Sequence, residues 1–138
     1  MSTDPARLDV SAVHGHLKDS YWARGIPRDV LERSIRNSLG FGVYHGDELV
    51  GFARVVTDLA TFAYVGDVFV IEAYRGRGLS KWLMECMVNH PDLRDLRRWH
   101  LVTRDAQGLY AKFGFVEPPP GKHMEKLRQN PYPVPPPA

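Results

Sequence analysis

The sequence predicts an α/β fold, of the α+β kind, in which helices flank a mixed, mostly antiparallel central sheet. Two helical patterns come first, then a run of strand-like segments, and a glycine-rich turn leads from the longest of these into an amphipathic helix. A further strand and helix follow. Strands joined by short turns pair antiparallel, whereas a strand–helix–strand connection joins parallel strands. The sheet is therefore expected to be antiparallel in its first half and to cross over in its second.

The length of the chain favours one folded unit. Its 138 residues can bury a hydrophobic core without disulfides, and we expect a single domain over residues 1–129. Residues 130–138 are rich in proline, and they are expected to form an extended or disordered tail.

Composition argues against several classes of partner. The formal net charge of +2 is too small to indicate a nucleic-acid or membrane partner. A basic stretch with Arg94, Arg97 and Arg98 is interspersed with Asp92 and Asp95, which favours a solvated surface over a binding patch. A nucleic-acid-binding domain is kept as the second alternative.

The expected location is the cytoplasm. Cys86 is the single cysteine, so no disulfide can form within the chain. The segment Met1–Pro5 lacks the basic start and apolar run of a signal peptide. No stretch approaches the ~20 apolar residues that span a bilayer.

The first forty residues predict two helices. The first is expected over Val10–Ser20, and the second begins at Pro27, a residue that suits the first turn of a helix. The apolar positions of the second helix follow at helical spacing: Val30, Leu31, Ile35 and Leu39. Gly40 stands where a C-terminal capping glycine is expected.

The period then changes to that of strands. Phe41–Tyr44 and Leu49–Val56 are predicted to form an antiparallel hairpin around the turn His45–Glu48. Phe62–Ile71 is rich in valine and aromatic residues and is long enough for a central strand.

The second half of the chain alternates helices and strands. The helix after the glycine-rich turn is expected to bury one apolar face: Leu79, Trp82, Leu83, Cys86 and Met87. A strand over Trp99–Thr103 and a helix over Ala106–Phe113 come next. Phe115–Val116 and Met124–Leu127 are predicted as short additional strands.

The most informative segment is Arg75-Gly76-Arg77-Gly78-Leu79-Ser80, between a strand and a helix. Glycine allows a close approach of the backbone, and the free N–H groups at a helix N-terminus attract anionic oxygens. Arginine adds charge and a fork of donors. The spacing lacks the Gly-Lys-Ser/Thr of a Walker loop and the third glycine of a dinucleotide fingerprint. A pyrophosphate of another kind is therefore expected here.

The segment Tyr74–Leu79 resembles the acetyl-CoA loop of the GCN5-related N-acetyltransferases (GNAT), whose pattern is Arg-x-x-Gly-x-small. Asp67–Val70 resembles that family's central strand, and Leu109–Phe115 resembles its later helix and turn. The three segments occur in the family's order. The resemblance extends over about Phe41 to Val116.

The resemblance implies an acyl-CoA N-acyltransferase-like fold with acetyl-CoA as co-substrate. Ser80 replaces the usual Gly or Ala, and Asp105 stands where many members carry an amide. A backbone N–H of the central strand would polarise the thioester oxygen. The residues implied to hold the donor are Val68, Phe69, Val70, Arg75, Gly76, Arg77, Gly78, Leu79, Ser80 and Asp105.

Tyr110 matches the family's tyrosine, which implies that it protonates the departing thiolate. The alternative is an ordinary helix tyrosine packed against the sheet. Asp67 is the candidate general base. If the strand is regular it shares a face with apolar residues, which would raise the pKa of its carboxyl. A structural hydrogen bond to backbone, tyrosine or arginine is an equal alternative for Asp67.

The acceptor is expected to be a small-molecule or peptide amine. Tyr21, Trp22 and Arg24 are candidates for its pocket, because members of the family place the acceptor between the first helices and the sheet. The histidines show no metal-ligand spacing, so no metal is expected. The family also suggests a homodimer. A non-catalytic acyl-CoA-binding sensor is the first alternative function.

Overall fold

The strands of the computed structural model, which describes residues 1–129 and 131–132, are β1 (Leu39–His45), β2 (Glu48–Thr57), β3 (Phe62–Val70) and β4 (Arg98–Leu101). They form one sheet in the order β1-β2-β3-β4. The first three strands are antiparallel neighbours, and β4 runs parallel to β3. The predicted mixed, mostly antiparallel sheet is confirmed. The tail predicted for residues 130–138 lies outside the described residues, apart from 131 and 132.

The helices are α1 (Val10–Leu17), α2 (Arg28–Arg36), α3 (Leu79–Val88) and α4 (Gln107–Ala111), with 3-10 turns at Pro5–Arg7 and Glu72–Tyr74. The carboxylate of Asp9 caps α1 by accepting from the N–H of Ala12. Within residues 1–129 and 131–132, no helix has both the length and the apolar character that a bilayer crossing requires.

Two buried clusters hold these elements in three layers. The first lies between the sheet and α3 and includes Phe41, Val55, Leu83, Met84 and Met87. The second lies on the opposite face, where α1 and α2 cover the sheet; its fully buried side chains are Val13, Leu17, Leu31 and Phe52. Helices on both faces of the sheet bury the apolar side chains that the strands present on either side.

The predicted end of the second helix is wrong. α2 ends at Arg36, and Asn37 satisfies a carbonyl of the last turn by donating from Nδ2 to Arg33 O over 2.9 Å. Gly40, predicted as a helix cap, lies in β1 opposite Arg54. A β-carbon on Gly40 would lie 3.3 Å from the Phe52 ring, so close packing of the sheet on the second cluster explains this glycine.

Two further predictions are wrong. Phe115–Val116 and Met124–Leu127 form no strands; Val116 is 84% and Met124 98% exposed. Three prolines between them, Pro118–Pro120, have no N–H to donate to a ladder. Trp82, expected in the core, is 41% exposed, because α3 turns Leu83, Met84 and Met87 towards the sheet instead.

Candidate functional site

A β-bulge interrupts β3 in its middle. Phe52 pairs with Phe69 and Arg54 pairs with Gly66, so Ala53 between them faces two residues, Asp67 and Val68. Asp67 adopts a left-handed conformation, with φ of 55°. A bulge of this kind bends its strand and redirects the side chains beside it. The regular strand assumed for Asp67 is therefore not what the chain forms.

Beyond the bulge, one edge of β3 is open. β4 ends at Leu101, opposite Val65, so no strand of the described residues pairs with that edge further along. The N–H of Ile71 points to β2, where it donates to Val50 O over 2.9 Å. Because backbone groups alternate in direction along a strand, those of Val68 and Val70 face the open edge. Arg75 lies at its end, with Nε donating to Val70 O over 3.0 Å.

The glycine-rich loop leads from this edge into α3. Gly76 and Gly78 have φ of 77° and 76°, and a β-carbon on either would have nothing within 4 Å. Within the described chain, no backbone N–H from Gly76 to Lys81 donates to another protein group. The loop residues from Arg75 to Gly78 are exposed. The start of α3 therefore presents a run of unengaged N–H groups to solvent.

A cleft of about 860 Å³ joins the open edge of β3, the loop, α4 and the segment after α1. Both ends of the loop line it, through Arg75 and Ser80. The predicted site residues that line the cleft are Tyr21, Trp22, Val68, Phe69, Val70, Arg75, Ser80, Asp105 and Tyr110. Arg24 and Asp67 are not part of the lining. Gly76, Arg77, Gly78 and Leu79 complete the loop between its two lining residues.

Several lining residues were not predicted as site residues: Gly15, His16, Asp19, Ser20, Arg104, Ala106 and Leu109. Most belong to α1 and the segment after it, which matched no motif. His16 lies in α1 and Asp19 lies two residues beyond its end, and the three-residue spacing of these polar side chains was the signal available. That signal gives no indication of which strand the helix would cover.

Asp67 lies beside the cleft and hydrogen-bonds to Trp22, which lines it. The indole Nε1 of Trp22 donates to Asp67 Oδ1 over 2.9 Å, and Arg54 Nε donates to Asp67 Oδ2 over 2.7 Å. The Asp67 side chain is only 10% exposed. Arg54 also donates to the hydroxyl of Ser38 over 3.0 Å. Both carboxylate oxygens of Asp67 are thus engaged, one of them with an aromatic side chain that lines the cleft.

Tyr110 reaches the cleft from α4 and is 8% exposed. Burial raises the pKa of its phenol, and the nearby Tyr21 adds to the increase. The Tyr110 hydroxyl makes no hydrogen bond to any residue that the structure describes, and it is not sealed from solvent. A residue that lines the cleft thus carries a protonated phenol with a free donor.

Comparison with known proteins identifies the family. The family model of the acetyltransferase (GNAT) domain matches residues 36–117. A Gibberella zeae protein with an acetyltransferase name, FG08082, is 32% identical over 136 residues, covering 81% of this chain and 75% of its own. The chain belongs to the GNAT family of acetyltransferases. The motifs around Tyr74–Leu79 and Leu109–Phe115 lie inside the matched region.

Solved structures agree with this GNAT assignment. A Xanthomonas campestris protein described as a GNAT acetyltransferase is 48% identical, with a TM-score of 0.92 over 95% of this chain and 94% of that one. A Clostridium acetobutylicum protein solved with acetyl-CoA shares the fold at 16% identity, with a TM-score of 0.66 over 88% and 91% of the two chains. The predicted GNAT fold is confirmed.

One longer relative has a name that states its acceptor. Histone acetyltransferase TAP1 of Glycine max is 32% identical over 117 residues, covering 83% of this chain but 48% of its own length. This GNAT chain therefore spans about half of that relative.

The described residues contain no group of three His, Cys, Asp or Glu side chains that could hold a metal ion.

Proposed function

We propose that this GNAT protein transfers the acetyl group of acetyl-CoA to an amine, which attacks the thioester directly. The observation that carries the proposal is the run of unengaged N–H groups from Gly76 to Lys81, next to the open edge of β3. A helix N-terminus with free N–H groups stabilises a diphosphate, and an open strand edge can pair with an extended ligand rich in amides. CoA contains both a diphosphate and an extended arm with amide groups.

The residues along the cleft match the successive parts of such a donor. Loop N–H groups and the guanidinium of Arg77 would hold the diphosphate, while Val68 and Val70 would pair with the amides of the pantetheine arm. Arg77 lies 5.1 Å over the ring of Tyr74, which orders it beside the loop. The donor supplies the acetyl thioester. A relative of the same fold that was solved with acetyl-CoA supports this choice of co-substrate.

Tyr110 is proposed as the acid that protonates the leaving thiolate. A general acid must hold its proton until it is needed, and burial keeps the pKa of this phenol above its ordinary value. Tyr110 lines the same cleft as Val68 and Val70. The sequence match and the position in the cleft both favour this role.

The role of general base for Asp67 stays a prediction, and its contacts favour the structural alternative. A base needs an oxygen that can accept the substrate's proton. Both oxygens of Asp67 already accept from Trp22 and Arg54. We therefore propose that Asp67 positions Trp22 at the cleft.

The acceptor is proposed to be a cationic amine or a lysine side chain. The cleft lining carries Asp19 and Asp105 together with Arg75 and Arg104. Arg104 lies 3.9 Å from Asp105, whereas Asp19 has no such partner among the described residues, so Asp19 is the carboxylate proposed to attract an ammonium group. The guanidinium of Arg104 lies 4.0 Å over the ring of Tyr21, so this aromatic wall of the cleft already accepts a cation. The name of the Glycine max histone acetyltransferase justifies including a lysine peptide among the candidates.

The experiment has two stages. Thermal unfolding with acetyl-CoA tests the donor site: a hundredfold excess over the dissociation constant should stabilise the fold by about 2.7 kcal/mol. Release of the CoA thiol is then measured over polyamines, amino acids, aminoglycosides and a lysine peptide. Adenosine alone serves as the control ligand, because it lacks the diphosphate and the arm.

Each stage has an outcome that contradicts the proposal. No thermal shift at millimolar acetyl-CoA would remove the donor site. A shift without amine-dependent thiol release would favour the acyl-CoA sensor, which needs the loop but neither Tyr110 nor an acceptor pocket.

A further inference from the structure

His16 lies over the strand that would hold the donor. Its imidazole stacks on the ring of Phe69, with centroids 4.2 Å apart and an angle of 17° between the planes. Phe69 stands between Val68 and Val70, the two residues whose backbone groups face the open edge of β3. α1 therefore places an imidazole in the cleft at the level of the pantetheine arm.

Both ring nitrogens of His16 are free to react. Among the described residues neither nitrogen makes a hydrogen bond, and neither is sealed from solvent. His14, two residues earlier on the same helix, contrasts with it: its Nε2 lies 2.9 Å from Ile26 O. One histidine of α1 is thus tied to the backbone, while the other faces the cleft.

The surroundings of His16 favour its neutral form. Burial lowers the pKa of the imidazole below its ordinary value of 6.5, the nearby Arg75 lowers it further, and Asp19 acts in the opposite direction. Tyr21, Arg104, Asp105 and Tyr110 are the other titratable groups of the cleft. At neutral pH the ring is therefore an unprotonated acceptor, as a general base requires.

We propose that His16 is the general base of the acetyl transfer, accepting a proton from the acceptor amine as that amine attacks. This inference rests on the proposed function. It assigns the base to a side chain with a free acceptor, whereas both oxygens of Asp67 are occupied by Trp22 and Arg54.

The protons balance in this assignment. The acceptor enters as an ammonium with three protons and leaves as an amide with one. The ammonium first gives one proton to solvent, and the neutral amine then attacks with its lone pair. As the nitrogen–carbon bond forms, the nitrogen becomes acidic and its second proton passes to His16. The carbon–sulfur bond breaks, the thiolate takes the proton of Tyr110, and the proton held by His16 returns through solvent to restore the phenol. The sum is ammonium plus thioester giving amide, thiol and one proton.

The test compares His16→Asn with His14→Gln, which removes an imidazole from the same helix outside the cleft. Glutamine can still reach the Ile26 carbonyl. We expect His16→Asn to lower kcat about 100-fold and to remove the acid limb of the pH–rate profile, with the acetyl-CoA thermal shift unchanged. His14→Gln should keep the wild-type profile and turnover.

A second readout does not depend on turnover. In the free protein, the NMR titration of the His16 ring should give a pKa below 6.5, the ordinary value. A ring that titrates at or above that value would overturn the assignment.

The remaining outcomes separate this inference from the proposed function. Wild-type turnover retained by His16→Asn, with its pH profile intact, overturns the base assignment alone. Loss of the acetyl-CoA thermal shift in His16→Asn also overturns it, because His16 would then be a donor contact. Absence of amine-dependent turnover in the wild-type protein removes the proposed function, and the base assignment with it.

Discussion

Arg54 Nε donates to Asp67 Oδ2 over 2.7 Å, and this ion pair connects β2 to the bulge of β3. The other oxygen of Asp67 accepts from Trp22, so one carboxylate connects the sheet to the segment after α1. Its left-handed backbone, with φ of 55°, turns the carboxylate to a position that both donors reach. The bulge and the shape of the cleft are coupled through this residue.

Asp67→Asn should destabilise the fold by about 2 kcal/mol. The substitution keeps the size of the side chain, and asparagine tolerates the left-handed conformation, so the loss of charge beside Arg54 is isolated. The Arg54 side chain is only 19% exposed and would lack a counter-ion. Urea unfolding measures the change.

The control for Asp67→Asn is Glu32→Gln, which breaks the exposed pair with Arg28. A solvated pair contributes little, so we expect a loss of less than about 1 kcal/mol. Equal losses in the two variants would mean that the Arg54–Asp67 pair contributes no more to the free energy of unfolding than an exposed ion pair.

Gly78→Glu should abolish acetyl-CoA binding. The carboxylate would occupy the open space at the start of α3 and repel a diphosphate. The left-handed φ of 76° adds a strain of about 1 kcal/mol. Gly46→Glu places the same side chain at a φ of 62° in the β1–β2 turn, with the same open surroundings. Calorimetric titration should show binding lost in the first variant and retained in the second; retention in both would remove the loop from the donor site.

Tyr110→Phe should lower kcat about 100-fold while leaving the acetyl-CoA thermal shift unchanged. The variant removes the proton donor but keeps the ring that packs against Phe115. Tyr44→Phe is the matched control, because its hydroxyl contacts Arg7 O outside the cleft. Steady-state thiol release compares them. Equal turnover in wild type and Tyr110→Phe would take Tyr110 out of the mechanism.

Stability should fall as the pH rises above 10. Burial raises the pKa of Tyr44, Tyr64 and Tyr110 above the ordinary value of 10.0. Above that value the unfolded chain loses these protons while the folded chain keeps them, so the unfolded state is favoured. Urea midpoints over an alkaline series measure the decline, and Tyr110→Phe should make it shallower. A flat midpoint across the series would contradict the buried positions of these phenols.

Local patterns were enough to predict the hairpin, the loop and α3. Each depends on neighbours along the chain: a turn between two strand-like runs, or glycines before an amphipathic helix. The predictions failed where packing between distant segments determines the local structure. Gly40 looked like a helix cap because the apolar spacing continued to Leu39, yet the sheet needs both residues in β1. Trp82 fits the apolar pattern of α3, but the sheet covers a face centred on Leu83 and Met87.

The sequence by itself determined the family, the glycine-rich loop before α3 and the position of Tyr110 in α4, because short motifs fix the local backbone geometry and the chemistry of the side chains. Only the tertiary structure decided which side chains meet. It engaged both oxygens of Asp67 with Arg54 and Trp22, and it stacked His16 on Phe69. These residues are far apart in the chain, and their contacts follow from the bulge in β3 and from the way α1 packs on the sheet, neither of which a pattern of neighbouring residues encodes.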